Sequence, residues 1–361
     1  MKVNPDLFFK FNEGKFVVWN YRAHEQFELT LPYAQRLYEL GTGAAPGAAE
    51  PAGPPPTQAQ IDRDLIDADL VSTAYPAAPW GWDSLSHIFH VGTSTPLRGE
   101  LPREDGSAGY LDECEAIGDD APAVVPALAG EVFALPAPDV ERLKQVSLWD
   151  ALVARRTARE FTGEPIELAA VSNILYATFG AVHGPARSDV EGYGITSYGY
   201  RRTSPSGGGL QTTEPYLINL TIAGLPTGVY HYHSIEHRLT RIAGQLPAAD
   251  LGPLLAGQNF ANDLGFAVFM VARFDKMWWK YAHSRSYRVA LMDVGHLSQT
   301  FHLACTGYAL RTWLTGAFYD EEIARRLELD PARHGVMLLV GAGTGDGRAI
   351  NDAILDALRS R

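Results

Sequence analysis

The stretch KYAHSRSYRVALMDVGHLSQ, Lys280–Gln299, contains the clearest pattern in this sequence. A Lys-Tyr pair stands before a segment in which apolar residues recur at helical spacing, so a long helix is predicted over 286–308. Upstream, Ser204–Gln211 reads SPSGGGLQ and precedes the strand-like run Tyr216–Ile222. Glycines in such a loop permit close approach of the backbone to a planar ligand. Together the two stretches predict a ligand-binding loop followed by a strand and a long helix.

The sequence around these stretches contains both helical and strand patterns without a regular βαβ repeat. Val171, Ile174, Leu175, Thr178 and Phe179 have the spacing of one buried helical stripe. Strands are predicted where β-branched or aromatic residues run together, at 228–232, 238–242, 265–274, 311–314 and 336–340. The pattern indicates an α+β fold, with helices flanking a mixed or antiparallel sheet.

Three regions are expected along the chain: a small N-terminal module over 1–92, a connector over 93–139 and a catalytic domain over 140–361. Strand-like runs at 15–19 and 27–31, with helices at 32–40 and 58–70, suggest a winged-helix-like module. A Pro/Gly-rich insert, 41–56, interrupts it and buries little surface. Scattered Pro, Gly and acidic residues indicate that the connector wraps around a larger domain.

The composition limits the class of partner. The 42 acidic and 30 basic residues give a formal charge of -12, which opposes binding to nucleic acid. The longest apolar run, Phe266–Ala272, is too short for a membrane span, so we expect no membrane association and a cytoplasmic location. The only cysteines, Cys114 and Cys305, are not at metal-ligand spacing, so neither a metal site nor a disulfide framework is expected.

A basic motif lies near the start of the predicted catalytic domain. Arg155, Arg156, Thr157 and Arg159 place three permanent cations and a hydroxyl within five residues. The forked donors of arginine suit phosphate, which favours a phosphate-bearing cofactor. The alternative is a solvated basic helix end that complements the helix dipole. The glycine-rich loop leaves a similar choice between a ligand site and a plain surface loop.

Taken in order, RRTAREF, SPSGGGLQTTEPYL, KYAHSRSYRVALMDVGHLSQ and TGAFYDEEIARRLELD resemble the SagB-type dehydrogenase (azoline oxidase-like) branch of the nitroreductase-like flavoproteins. The resemblance covers about Ser147–Gly345. It implies a nitroreductase-like FMN-binding fold and a homodimer that holds FMN at the subunit interface. Thr157 stands where the family usually has Ser, and both residues supply a hydroxyl.

The resemblance also implies roles for individual residues. It places the FMN phosphate at the arginine motif, the flavin ring along the glycine-rich loop, and backbone N–H groups of a third segment near flavin N5. Lys280 and Tyr281 match the pair that acts in azoline oxidation, where a proton leaves the α carbon as hydride passes from the β carbon to flavin N5. The expected cofactor-binding residues are Arg155, Arg156, Thr157, Arg159, Ser204, Pro205, Ser206, Gly207, Gln211, Thr315 and Gly316.

The function that the resemblance implies is FMN-dependent oxidation of a thiazoline- or oxazoline-like heterocycle or an amino-acid-derived unit in peptide or natural-product biosynthesis. The substrate would be a peptide, a carrier-protein-bound unit or a small molecule, and oxygen would reoxidise the flavin. One alternative is an NAD(P)H-dependent nitro or quinone reductase, and another is a non-catalytic scaffolding subunit of a peptide-modifying complex. To act as a base near neutral pH, Lys280 would need a pKa lowered from about 10.4. The alternative is that Lys280 is an exposed turn residue.

Overall fold

The computed structural model describes residues 1–43, 56–75, 80–97, 99–101, 105–117, 120–184, 198–242 and 246–361. The chain divides into two compact units, Met1–Glu104 and Asp105–Arg361. Most of the insert predicted over 41–56 lies outside the described residues. Across the described ranges, none of the helices has the length and apolar character needed to cross a membrane.

The first unit combines short strands with three described helices. Strands β2, β3 and β4 form an antiparallel sheet, and β1 pairs with β5. The second strand predicted for this unit, 27–31, lies two to three residues earlier, at Glu25–Glu28, and the helix that follows it begins at Leu31 with Pro32 in its first turn, as predicted. The winged-helix character of the unit stays a prediction. The elements are β1 Lys2–Val3, β2 Leu7–Asn12, β3 Lys15–Asn20, β4 Glu25–Glu28, α1 Leu31–Thr42, α2 Gln58–Asp67, β5 Val71–Ser72 and α3 Ser84–Gly92.

The second unit is built on a seven-stranded sheet in which each neighbouring pair is antiparallel. The predicted hairpin is confirmed, since Tyr232 pairs with Leu239. A separate short parallel pair joins β7 Ile166–Glu167 to β9 Ile222–Ala223. In spatial order the sheet contains β13 Arg311–Thr315, β14 His334–Gly343, β12 Phe266–Arg273, β8 Thr213–Asn219, β10 Gly228–His233, β11 Arg238–Arg241 and β6 Val132–Ala134.

Helices cover both faces of this sheet, and the central strand shows why. Along β12, Val268 and Met270 pack into a core with Leu175 and Leu297, whereas Phe269 faces a second core on the other side. Successive strand residues point to opposite faces, so a strand buried on both faces is apolar throughout. The helices of this unit are α4 Ser107–Ala116, α5 Glu141–Lys144, α6 Leu148–Ala154, α7 Leu168–Phe179, α8 Ala248–Leu254, α9 Phe274–Lys280, α10 Ser286–Gly307, α11 Asp320–Arg326 and α12 Asp352–Arg359.

The second unit has the predicted α+β class, and its long helix agrees with the sequence. The helix predicted over 286–308 is α10, Ser286–Gly307. It packs against α7 and against the sheet through Leu297 and Phe301. The connector predicted over 93–139 contains α4 and β6, and β6 forms the sheet edge next to β11.

Candidate functional site

The Ser-Gly loop, Ser204–Gln211, leads into β8 and is anchored on helix α10. Asp293 accepts hydrogen bonds from the Ser206 hydroxyl at 2.5 Å and from the Gly207 N–H at 3.1 Å. The Ser204 hydroxyl oxygen lies 2.6 Å from Thr300 Oγ1. Burial raises the pKa of Asp293, although the hydrogen bonds from Ser206 and Gly207 oppose this shift. The two serine hydroxyls therefore orient the loop on α10.

The three glycines of the loop are required by close packing. A Cβ atom at Gly207 would lie 2.2 Å from Val289 Cγ1, and one at Gly208 would lie 2.5 Å from the Tyr281 hydroxyl. Gly208 also has a φ of +61°, which disfavours other residues. A Cβ at Gly209 would lie 2.8 Å from a guanidinium nitrogen of Arg201. The glycines of this loop therefore let its backbone lie close to the side chains of Val289, Tyr281 and Arg201.

A cavity of about 440 Å³ runs along the same loop. A larger cavity of about 870 Å³ lies beside β10 and β11, near Gly130 and Arg241, and contains none of the predicted site residues. We assign the candidate site to the smaller cavity because its lining is polar and contains glycines, which suits a planar polar ligand. The larger volume of the other cavity does not by itself indicate a ligand site. Its lining residues are Arg201, Arg202, Thr203, Ser204, Pro205, Ser206, Gly208, Gly209 and Gln211.

A buried charge network lies behind the loop, and the sequence did not reveal it. Lys276 Nζ donates to the carbonyl oxygens of Val124 at 2.6 Å and Gln211 at 3.1 Å, and it lies 3.2 Å from Glu214 Oε1. His231 Nε2 lies 3.0 Å from the other carboxylate oxygen of Glu214. Burial lowers the pKa of Lys276, with Glu214 opposing. Burial would raise the pKa of Glu214, but Lys276 and His231 outweigh it and hold that pKa below its usual range.

Two buried arginines extend this network. Arg273 forms a two-pronged ion pair with Asp275 and donates to the carbonyl of Ala123 at 2.8 Å. Arg202 donates to the carbonyl of Thr213 at 2.9 Å, and both arginines are at least nine-tenths buried. Forked guanidinium groups can satisfy several acceptors at once, so they fix the segments on either side of the loop.

Lys280 and Tyr281 lie directly against the Ser-Gly loop. Lys280 Nζ is 3.5 Å from the carbonyl oxygen of Gly208, and both side chains of the pair are half-buried. The same Nζ lies 5.8 Å from the ring centroid of Tyr110 and 5.7 Å from that of Tyr281. Burial raises the pKa of Tyr281, while the Lys280 charge opposes the shift. The structure thus joins the predicted Lys-Tyr pair to the predicted loop and adds Tyr110.

The arginine motif lies along strand β13. Thr157 forms a parallel bridge with Thr312, and Arg159 donates to the carbonyl of Ala349 at 3.0 Å. Arg155, Arg156 and Arg159 form no ion pair with a carboxylate in the described part of the chain. Their charge therefore suits an anionic ligand.

The arginine motif and the Ser-Gly loop are held by different elements. Thr157 of the motif bridges to Thr312 of β13, whereas Ser204 bonds to Thr300 of α10. Burial, with a smaller effect of the Arg155 charge, lowers the pKa of His302 on α10 to about 4. In this chain the predicted site residues thus fall into two groups, one along β13 and one along α9 and α10.

Thr315 and Gly316 belong to the group with the arginine motif. Thr315 is the last residue of β13 and Gly316 comes after it, and the arginine motif lies beside this strand. Thr315 is buried, and its hydroxyl oxygen accepts from Gln258 Nε2 at 3.1 Å and from the Ala317 N–H at 3.0 Å. Gly316 is exposed. Only Gly316 therefore leaves its backbone open to a ligand from the solvent side.

Comparisons with known proteins agree with this architecture. Residues 152–344 match the nitroreductase family. A protein of Methanocaldococcus jannaschii named as a nitroreductase is 30% identical over 200 residues, which are 55% of this chain and 92% of that protein. The trifolitoxin-processing protein TfxB of Rhizobium leguminosarum bv. trifolii is 30% identical over 153 residues, 41% of each chain. The crystal structure of a protein from Anabaena variabilis, also named as a nitroreductase, has a TM-score of 0.50 at 21% identity and covers 78% of this chain and 53% of that one.

This chain belongs to the nitroreductase family. The family resemblance stated from the four motifs is confirmed, including the similarity to a trifolitoxin-processing protein. The nitroreductase-like fold is confirmed as well. The match spans less than half of the trifolitoxin-processing protein.

Proposed function

We propose that this protein is an FMN-dependent oxidase that aromatises an azoline-like heterocycle in a peptide, with Lys280 as the proton acceptor. One observation carries the proposal. Lys280 Nζ lies 3.5 Å from the Gly208 carbonyl, and a Cβ atom on Gly208 would lie 2.5 Å from the Tyr281 hydroxyl. A basic amine and a phenol thus lie against the glycine-rich loop that lines the cavity. The similarity to a trifolitoxin-processing protein supports a peptide substrate.

The residues present fit FMN. Three arginines without carboxylate partners among the described residues, Arg155, Arg156 and Arg159, would hold the phosphate together with the Thr157 hydroxyl. The loop with Pro205 and Gln211, beside its cavity of about 440 Å³, would hold the flavin ring. FMN supplies the acceptor for a hydride.

A homodimer would unite the two groups of site residues. One group lies along β13 and the other along α9 and α10, so a second copy can bring the arginine motif of one protomer to the loop of the other. Helix α6, just before the motif, exposes Leu148, Trp149, Leu152 and Val153, and Trp149 is 72% exposed. An apolar helix face of this kind is typical of a protein interface. Burying it between two copies would complete the site.

The dimer is tested by charge insertion on this face. We expect Trp149→Glu to convert dimer to monomer in sedimentation and to lose bound FMN in parallel. Ile235→Glu, at an exposed apolar residue in the turn between β10 and β11, is the matched control and keeps both. A Trp149→Glu monomer that retains stoichiometric FMN would show that one protomer holds the cofactor alone.

The chain's own residues would handle the proton and orient the substrate. Lys280 Nζ accepts the proton that leaves the α carbon, which requires the amine in its neutral form. The Tyr281 side chain, packed on Gly208, lies beside the substrate ring and keeps the α carbon next to the amine. The substrate loses one proton and one hydride, and a carbon–carbon double bond forms. Oxygen then takes the two electrons from the enzyme.

The first test is the visible absorption spectrum of the purified protein, with mass identification of the released chromophore. A peptide containing one thiazoline is then incubated with the protein in air, and a product lighter by two hydrogen atoms is expected. Lys280→Ala should keep the flavin and lose this product. Lys144→Ala, at an exposed lysine paired with Glu141, is the matched control. A colourless protein that takes up no FMN would contradict the proposal and favour a scaffolding subunit.

A second candidate is an NAD(P)H-dependent reductase of nitro compounds or quinones. It is favoured by the relative named as a nitroreductase, which this chain matches over 92% of its length. Rapid anaerobic bleaching of bound flavin by NADPH, with no product from the thiazoline peptide, would select this reductase. Slow bleaching with rapid oxidation of the peptide would select the oxidase.

A further inference from the structure

Helix α4 brings a third side chain to the Lys-Tyr pair. Tyr110 lies beneath Lys280, with 5.8 Å between Nζ and the ring centroid, and Lys280 also lies 5.7 Å from the Tyr281 ring centroid. Tyr110 is also among the groups that raise the pKa of Tyr281. One amine therefore lies near two tyrosine rings, one from α4 and one from the Lys-Tyr pair. Tyr110 comes from the segment that the sequence presented only as a connector.

Three side chains hold residues 122–124, in the segment after α4. The Tyr198 hydroxyl donates to the carbonyl of Pro122 at 2.6 Å, and Arg273 donates to that of Ala123 at 2.8 Å. Lys276 donates to the next carbonyl, Val124, at 2.6 Å. Three successive carbonyls are thus held, and Lys276 also donates to the Gln211 carbonyl of the loop. This anchoring ties the segment around α4 to the network behind the candidate site.

We propose that Tyr110 is a positioning residue of the active site: its ring holds the Lys280 amine, and its hydroxyl accepts a hydrogen bond from Tyr281. The inference rests on the proposed function, since it assigns Tyr110 a role through the two catalytic residues. Within the described ranges, the titratable groups named around Tyr281 are Lys280, Tyr110, Cys114 and His283, and the His283 ring centroid lies 6.0 Å from that of Tyr281. Cys114 stands one helical turn after Tyr110 on α4.

The proposed hydrogen bond predicts the direction in which the pKa of Tyr281 changes when Tyr110 is replaced. Burial raises the pKa of Tyr281, and the bond to Tyr110 raises it further because an accepting oxygen favours the protonated phenol. Tyr110→Phe keeps the ring beneath Lys280 and removes the acceptor, so Tyr281 should ionise at a lower pH. Tyr110→Leu removes the ring as well and uncovers the Lys280 amine, so Lys280 should acetylate faster.

The test measures each residue separately. Tetranitromethane nitrates phenolates, and acetic anhydride modifies neutral amines, so peptide mapping by mass spectrometry across pH gives a midpoint for Tyr281 and a rate for Lys280. Tyr319→Phe, at an exposed tyrosine before α11, is the matched control. We expect a lower Tyr281 midpoint in Tyr110→Phe and no change in Tyr319→Phe. An unchanged midpoint in Tyr110→Phe overturns the inference.

Turnover separates a positioning role from a structural contact. With the thiazoline peptide, Tyr110→Phe should keep its KM and bound flavin, while the alkaline limb of kcat moves down by the shift seen in nitration. A shifted midpoint with an unmoved kcat profile overturns the catalytic role of Tyr110. A flavin-free wild-type protein refutes the proposed function and that role together. An unchanged midpoint in flavin-loaded protein refutes the Tyr110 inference alone.

Discussion

Replacing Lys276 by Met should destabilise the second unit more than replacing other lysines paired with a carboxylate. The amine makes hydrogen bonds to the carbonyls of Val124 and Gln211 and an ion pair with Glu214, and its side chain is fully buried. Met has a similar length without the charge, so the substitution removes these interactions and leaves little cavity. Glu214 keeps His231 as its close partner.

The size of the effect follows from burial. Removing one member of a buried ion pair costs about 3 to 5 kcal/mol because the remaining charge is left in a low dielectric. His231 lies 3.0 Å and Arg273 lies 3.9 Å from the Glu214 carboxylate, so we expect the lower end, about 3 kcal/mol. For a unit of this size, that change lowers Tm by roughly 6 to 12 °C.

Thermal melting of the full chain by circular dichroism measures this shift. Lys144→Met is the matched control, because Lys144 pairs with Glu141 at 2.5 Å on the surface, where such pairs contribute about 0 to 1 kcal/mol. Adding Glu214→Gln to Lys276→Met removes the stranded charge and should recover part of the loss. The reasoning fails if Lys276→Met melts as close to wild type as Lys144→Met, or if the double variant melts lower than the single one.

Other outcomes follow from the same geometry. Gly208→Ala should slow peptide oxidation about a hundredfold by displacing the Lys-Tyr pair, whereas Gly224→Ala, with a φ of +77° and no atom within 4 Å of the new Cβ, should leave kcat unchanged. His302 has a pKa lowered from 6.5 to about 4, so the stability that its neutral form contributes is present above pH 6.5 and is lost as pH falls through 4. The free energy of unfolding, measured in urea, should therefore decrease by up to about 3 kcal/mol between pH 7 and pH 4, and His302→Gln should flatten this pH dependence. Arg156→Glu should raise the Kd for FMN, measured by fluorescence quenching, by at least about tenfold.

The fold was predictable where one periodic pattern decided it. The α10 helix differs from its predicted range by one residue, because its buried stripe fixes both length and face. The strand predicted over Tyr216–Ile222 instead ends at Asn219. There the Asn219 side chain accepts from the Ile222 N–H at 2.6 Å and donates to the carbonyl of Leu225 at 2.7 Å, which turns the chain. A side-chain bond of this kind leaves no periodic signal.

The site was predictable only at the level of segments. The sequence located the Ser-Gly loop, but it did not show that the hydroxyls of Ser204 and Ser206 bond to α10. Nor could it bring Tyr110 to Lys280, because their contact depends on how the long segment between them folds. The signal that was available and missed is the spacing of Lys276, four residues before Lys280.

That spacing explains how one short helix supplies two lysines with different roles. Residues four apart lie on the same face of α9, so both amines reach the Ser-Gly loop. Lys276 Nζ lies 3.1 Å from the Gln211 carbonyl and Lys280 Nζ lies 3.5 Å from that of Gly208. Lys276 is fully buried and forms an ion pair with Glu214, so its amine holds the loop in place. Lys280 is half-buried and has no carboxylate partner within the described residues, so under the proposed function its amine is the one that exchanges a proton with the substrate.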